Sequence, residues 1–127
     1  MKSQFCLAVL GLLMVSLPLS AHHSFAAEYD SKQPMSVAGV VTKIEWTNPH
    51  AYVYLDVTDE SGKVTNWAFE GYPPNTLKRT GFARGLLKQG DRITLTAWRS
   101  KDGSNRGAGR EVTMADGKKV FLGPNAQ

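Results

Sequence analysis

Cysteine is almost missing from this sequence of 127 residues. Its one cysteine, Cys6, lies in the first apolar stretch, so the rest of the chain has neither a disulfide nor a cysteine nucleophile. No serine stands in a Gly-x-Ser-x-Gly elbow, and no glycine-rich phosphate loop ends in Lys-Ser or Lys-Thr. The sequence therefore contains no motif that points to hydrolase or transferase activity. These absences favour a protein that binds rather than catalyses.

Long apolar runs are also scarce, and the one present lies at the start of the chain. Residues 5–17 are mainly apolar, Lys2 precedes them, and Pro18–Ala21 supplies a helix break and small residues. These are the three parts of a secretory signal peptide, and the run is shorter than the roughly 20 residues of a membrane span. We therefore predict a signal peptide over residues 1–21 and export to the periplasm, with a retained membrane anchor as the alternative. A lipid anchor is not predicted, because Cys6 lies at the start of the run.

Charge is distributed unevenly over the remaining 106 residues, a length that suits one domain. Residues 22–77 carry three basic and seven acidic side chains, whereas eleven basic and four acidic side chains follow from Lys78 onward. A basic half can attract anions. Here the basic residues are scattered through predicted strands and turns, which is typical of a solvated surface, and nucleic acid is not predicted as a partner.

The pattern after residue 21 changes at Ser36. Residues 22–35 are predicted to be an irregular arm, since Pro34 opposes a continuous helix. From Ser36 apolar residues alternate with period two, which is typical of strands. The predicted strands are 36–46, 51–58, 64–70, 92–99 and 110–114, and a turn at 116–117 leads into a last extended stretch over 118–122.

Between the third and fourth strands the pattern predicts one short helix. Asn75 or Thr76 is its expected N-cap and Thr80 lies near its end. Residues 100–109 are predicted to be a flexible polar loop. This order of elements predicts an all-β domain over residues 36–123, an OB-fold-like five-stranded small barrel with one helix. A β-sandwich is the alternative, although seven strands are more usual there.

The chain after residue 21 carries a series of short motifs. They are His22-His23-Ser24-Phe25, Gly39-Val40-Val41, Glu45-Trp46-Thr47-Asn48-Pro49-His50, Asn66-Trp67, Leu87-Lys88-Gln89-Gly90-Asp91, Lys101-Asp102-Gly103-Ser104 and Asp116-Gly117. In these motifs the sequence resembles the DUF6152-type family of small exported bacterial proteins of unknown function. The resemblance implies export and a small β domain, and it implies no particular activity.

The three histidines are the strongest candidates for chemistry. Cleavage after Ala21 would give His22 a free α-amino group, which with its own ring forms a bidentate chelate. His23 or His50 can add a further imidazole, and nitrogen ligands in tetragonal geometry suit copper(II). Cleavage after Ser20 would instead place a histidine third in the chain, which also binds copper(II). The sequence thus predicts a site for copper(II) or another divalent metal at His22, His23 and His50.

Aromatic residues on the predicted strands offer a second, non-enzymatic function. OB-fold faces bind ligands by stacking on exposed aromatic rings. The candidate ligand-binding residues are Tyr52, Tyr54, Trp67 and Trp98. The alternative function is therefore an interaction module for a glycan, a peptide or an envelope protein. Glu45 and Glu70 are interpreted as surface charge.

Overall fold

The computed structural model describes residues 24–124, so the predicted signal peptide lies outside the described residues. The elements are α1 (Ser24–Glu28), β1 (Tyr29–Glu45), β2 (Tyr52–Thr58), β3 (Val64–Glu70), α2 (Pro74–Arg79), β4 (Arg92–Ser100), β5 (Arg106–Met114) and β6 (Lys119–Phe121). Neither of the two helices in this described part has the length and apolar character needed to cross a membrane.

Five of the strands close into a ring. β1 pairs antiparallel with both β2 and β4, β2 pairs with β3, and β4 pairs with β5. A short parallel pairing of β3 with β5 joins the two ends, and β6 adds an outer strand to β5. Helix α2 lies between β3 and β4 in the chain. The structure thus confirms the predicted OB-like class, which has mostly antiparallel strands and one short helix after the third strand.

Alternate side chains of the strands fill the inside of the ring. In β2, Val53 and Leu55 are buried, whereas Tyr52 and Tyr54 are partly exposed on the opposite face. The core draws on each of the five ring strands and on α2 with the segment after it: Val41, Leu55, Phe69, Leu77, Phe82, Leu87, Leu95 and Val112. Full burial of one such side chain stabilises the fold by about 1.5–3 kcal/mol.

The irregular arm predicted over residues 22–35 is wrong where the structure describes it. Residues 24–28 are helical, and β1 already begins at Tyr29. Asp30 pairs with Arg99 of β4, and the next paired residue, Pro34, faces the adjacent Trp98. The three residues 31–33 between them therefore have no partner in β4, and the pairing is irregular there. Pro34 lies in the part of β1 that pairs with β4 alone, because the pairing with β2 begins at Val40, and proline is tolerated where one side of a strand is unpaired.

The flexible loop predicted over residues 100–109 is also wrong in its second half. β5 begins at Arg106, and its first residues form the parallel pairing that closes the ring. A Cβ at Gly107 would lie 3.0 Å from the Trp98 carbonyl oxygen and 3.1 Å from the Phe69 ring. Glycine is needed there for close packing of strands rather than for flexibility.

Helix α2 occurs where the sequence predicts it, but its start differs. Pro73 occupies the N-cap position without a side-chain cap, and Pro74 begins the helix. Asn75 and Thr76 are therefore inside the helix and not its cap. Proline suits the first helical position because its fixed φ is already helical and its missing N–H would have no partner there.

Candidate functional site

His50 lies in the loop between β1 and β2, beside the end of β3. The Ala51 carbonyl accepts a hydrogen bond from Gly71 N–H at 2.8 Å, and Ala51 N–H donates to the Tyr72 carbonyl at 3.2 Å. These bonds hold the loop against the chain after β3. His50 Nδ1 lies 3.0 Å from the Gly71 carbonyl oxygen. Because a carbonyl oxygen can only accept, Nδ1 carries a proton in this geometry.

Glu70, the last residue of β3, lies between His50 and the N-terminal segment. Its Oε1 is 3.4 Å from His50 Nδ1, and its Oε2 accepts a hydrogen bond of 2.5 Å from the Tyr29 hydroxyl. Only 14% of the Glu70 side chain is exposed, and Tyr29 is 4% exposed. One largely buried carboxylate therefore connects the loop histidine to the start of β1.

The Tyr29 phenol is strongly biased towards its neutral form. Burial, then the hydrogen bond to Glu70 and the negative charge of Glu70, hold the pKa of Tyr29 well above its usual value. Tyr29 packs with Trp98 and Ala108, and the Phe25 ring lies 5.7 Å from its ring. The Tyr29 hydroxyl consequently remains a hydrogen-bond donor to Glu70 at neutral pH.

The N-terminal segment, residues 24–35, is held against the turn between β4 and β5. Lys101 N–H donates to the Glu28 carbonyl at 2.8 Å, and Lys101 Nζ donates to the Ala26 carbonyl. A small cavity of about 180 Å³ lies next to this segment. Phe25 and His50 are among its lining residues, together with Tyr29, Glu70 and Tyr72. The first described residues of the chain and the loop histidine thus share one cavity.

Two of the three predicted metal ligands cannot be placed. His22 and His23 lie outside the described residues. Within residues 24–124 no three residues among histidine, cysteine, aspartate and glutamate are grouped so that they could hold a metal ion. Of the predicted metal site, the structure therefore describes only His50.

The four predicted ligand-binding aromatics do not form one surface. Tyr52 and Tyr54 lie together on the outer face of β2, with ring centroids 6.4 Å apart. Trp67 packs instead against the core and stacks on Phe69 at 6.0 Å. Trp98 is only 7% exposed and packs with residues of the N-terminal segment. The predicted aromatic face reduces to Tyr52 and Tyr54.

A second tyrosine–carboxylate pair lies on the same outer face. The Tyr54 hydroxyl donates to Glu45 Oε2 at 3.1 Å, and Lys43 forms an ion pair with Glu45. The hydrogen bond to Lys43 lowers the pKa of Glu45, and burial with the bond to Glu45 raises the pKa of Tyr54. Tyr52 faces Glu45 across one strand pairing and Glu70 across the other, so it lies between the two pairs.

Sequence reasoning missed the roles of Tyr29 and Glu70. The sequence pattern places Tyr29 in an irregular arm and favours surface charge for Glu70. Their contact joins positions 41 residues apart, and His50 reaches Gly71 across 21 positions. No local pattern marks such a contact; the one available signal was the position of Glu70 at the end of a predicted strand.

Comparison with known proteins gives one result. Neither the curated proteins nor the solved structures yield a match to this chain. A family model, described as a family of unknown function, matches residues 9–110, most of the chain. The motifs noted in the sequence lie largely within that range. The chain therefore belongs to the DUF6152 family of unknown function.

Proposed function

We propose that the protein is exported and binds copper(II), or another divalent metal, through its processed N-terminus, with His50 as an additional ligand. The observation that supports this most is the hydrogen bonding of His50. Its Nδ1–H is directed to Gly71 O, while Nε2 makes no hydrogen bond to a described residue. With 37% of the side chain exposed, Nε2 offers a lone pair for a metal.

The position of the N-terminal segment gives a second argument. Phe25 lines the same cavity as His50. His23 precedes Phe25 by two residues, and an extended chain spans at most about 3.6 Å per residue, so this link reaches no further than about 7 Å. The predicted terminal ligands are therefore tethered close to a cavity that His50 lines.

The proposal needs processing of the chain, because the chelate uses a new α-amino group. Cleavage after Ala21 would provide the amine and ring of His22, whereas cleavage after Ser20 would provide a terminus with His23 in third position. Copper(II) has the highest affinity of the common divalent metals for such nitrogen ligands. Cleavage of the signal peptide during export would then complete the metal site at either cleavage point.

Native mass spectrometry of the secreted protein, with and without copper(II), tests this proposal. We expect a chain that begins at His22 or Ala21 and carries one copper ion, and isothermal titration should give a submicromolar dissociation constant. His50→Ala should weaken binding, whereas Glu45→Ala, which removes a carboxylate elsewhere on the same face, should not. Absence of bound copper, or an unchanged affinity of His50→Ala, would contradict the shared site.

A second candidate is a non-enzymatic interaction surface around Tyr52 and Tyr54. These rings lie side by side on the outer face, and Lys43 Nζ lies 5.2 Å from the centre of the Tyr54 ring. Aromatic rings beside a cation suit stacking on a sugar or a peptide side chain. Binding to a glycan array that is lost in Tyr54→Ala would support it, and an array without binding would speak against a glycan.

A further inference from the structure

The carboxylate of Glu70 is shared between two parts of the chain that are distant in sequence. One oxygen accepts the Tyr29 hydroxyl at 2.5 Å, and the other lies 3.4 Å from His50 Nδ1. Tyr29 is buried against Trp98 and Ala108, which fixes the position of its hydroxyl. The carboxylate is therefore held from one side while it faces the histidine on the other.

The Glu70 carboxylate and the Gly71 carbonyl both favour the neutral tautomer of His50 that carries its proton on Nδ1. Nδ1–H points to Gly71 O, and the nearby negative charge of Glu70 favours a proton on that nitrogen. The lone pair of the neutral ring then lies on Nε2. In metal sites an imidazole commonly binds the ion through one nitrogen and donates its other N–H to a carbonyl or a carboxylate.

We infer that Glu70 is a positioning residue for the proposed metal site, and that Tyr29 holds Glu70 in place. Glu70 keeps the proton of His50 on Nδ1, so that Nε2 is the ligand atom, and it orients the ring through the same contact. Tyr29 brings the N-terminal segment to this carboxylate. The inference rests on the proposed function, and it specifies which ring nitrogen binds the metal and which residues control it.

The first measurement uses the metal-free protein. The ¹⁵N and ¹³C shifts of the His50 ring distinguish its two neutral tautomers, and His50→Ala identifies the signals. We expect the Nδ1–H form in the native protein. In Glu70→Ala the Nε2–H form should become populated, because only the Gly71 carbonyl still favours Nδ1–H. An Nε2–H ring in the native protein, or an unchanged ring in Glu70→Ala, would overturn the inference.

The second measurement is copper(II) affinity of the processed protein by isothermal titration. Loss of a partner that orients a metal ligand typically weakens binding about 10- to 100-fold, and we expect this for Glu70→Ala. Tyr29→Phe should give a smaller loss in the same direction, since Glu70 remains but loses its anchor. If Glu70→Ala does not fold, Tyr29→Phe carries the test through both measurements.

The chain offers a matched control on the same face. Glu45→Ala and Tyr54→Phe remove the chemically similar pair that has no contact with His50. We expect both controls to leave the tautomer and the affinity unchanged. If Glu45→Ala and Tyr54→Phe lose as much copper affinity as Glu70→Ala and Tyr29→Phe, the loss does not depend on the contact with His50. That result would overturn the inference. Native protein that binds no copper would instead overturn the proposed function, and the tautomer of the metal-free protein would still decide the role of Glu70.

Discussion

The outer face carries the same chemical pair twice, in two different environments. We call Tyr29–Glu70 the covered pair and Tyr54–Glu45 the open pair. The covered pair links the N-terminal segment to the end of β3, with Tyr29 4% and the Glu70 side chain 14% exposed. In the open pair the Glu45 side chain is 30% exposed, and its second partner is the exposed Lys43. The strand pairings place Tyr52 between them.

The difference between the pairs follows from the solvent. Water can replace a hydrogen bond at the open pair, and it screens the charges of Lys43 and Glu45. At the covered pair a lost partner leaves a buried polar group unsatisfied, which is the expensive case. Burial is also the main cause of the strongly raised pKa of Tyr29. The covered pair can therefore hold a neighbouring side chain in place, whereas the open pair mainly contributes polar surface.

The largest expected effect comes from a change in the backbone beneath the covered pair. In Gly71→Ala the new Cβ would lie 2.7 Å from the Leu122 carbonyl oxygen, which itself accepts a hydrogen bond from Tyr72 N–H. We expect a loss of about 2–3 kcal/mol in the free energy of unfolding, measured by urea denaturation.

Gly62→Ala is the control for that variant. A Cβ at Gly62 meets open space, but its φ of 86° strains any other residue, so we expect about 1 kcal/mol. If Gly71→Ala is no more destabilised than Gly62→Ala, the close approach of Gly71 to Leu122 does not constrain the backbone next to Glu70.

Removal of the two carboxylates compares the pairs directly. Glu70→Ala leaves the buried Tyr29 hydroxyl and the His50 Nδ1–H with fewer partners, and we expect a loss of about 2 kcal/mol. Glu45→Ala should change the midpoint of chemical unfolding much less, because its partners are exposed. Similar shifts of both midpoints would remove the distinction between a covered and an open pair.

Removal of the tyrosine hydroxyls should destabilise the protein less than removal of the carboxylates. The covered pair should again be affected more than the open pair. Tyr29→Phe keeps the packing against Trp98 and deletes one bond to a charged acceptor, so about 1.5 kcal/mol is expected. Tyr54→Phe should shift the thermal midpoint less than Tyr29→Phe does. The reverse order in calorimetry would contradict the burial argument.

The smallest effect is a difference in stability at alkaline pH. The pKa of Tyr29 is raised in the folded state, whereas an unfolded tyrosine ionises near a pKa of about 10. Below pH 10 the contribution of Tyr29 to stability is complete; above it the unfolded chain releases this proton while the folded chain retains it, so stability falls as pH rises. Between pH 9 and about 11 the free energy of unfolding should therefore fall less steeply with rising pH in Tyr29→Phe than in the native protein.

Tyr54→Phe serves as the comparison for the alkaline measurement. The pKa of Tyr54 is also raised, by burial and by its bond to Glu45, but its hydroxyl lies in the open pair. Relative to the native protein, we expect Tyr54→Phe to change the slope of the free energy of unfolding against pH less than Tyr29→Phe does. Parallel slopes for the native protein and Tyr29→Phe would mean that Tyr29 ionises normally in the folded state.

Local patterns in the sequence were sufficient for most of the fold. Alternation with period two predicted β3 over the residues 64–70 that the structure has, and it located β2 and β4 within one residue at each end. It failed at Tyr29 and at Arg106, where the strands begin earlier than predicted. At both places proline or glycine suggested irregular structure, and pairing with a distant strand decided otherwise.

The sequence by itself determined the class of fold, the family and the set of histidines that the metal proposal uses. These follow from composition, spacing and short motifs, which are properties of neighbouring residues. Only the tertiary structure decided that Glu70 contacts both Tyr29 and His50. It also decided that Trp67 and Trp98 pack against buried residues and do not belong to the predicted aromatic face. Those contacts depend on ring closure and on burial, and both bring together residues that are distant in sequence.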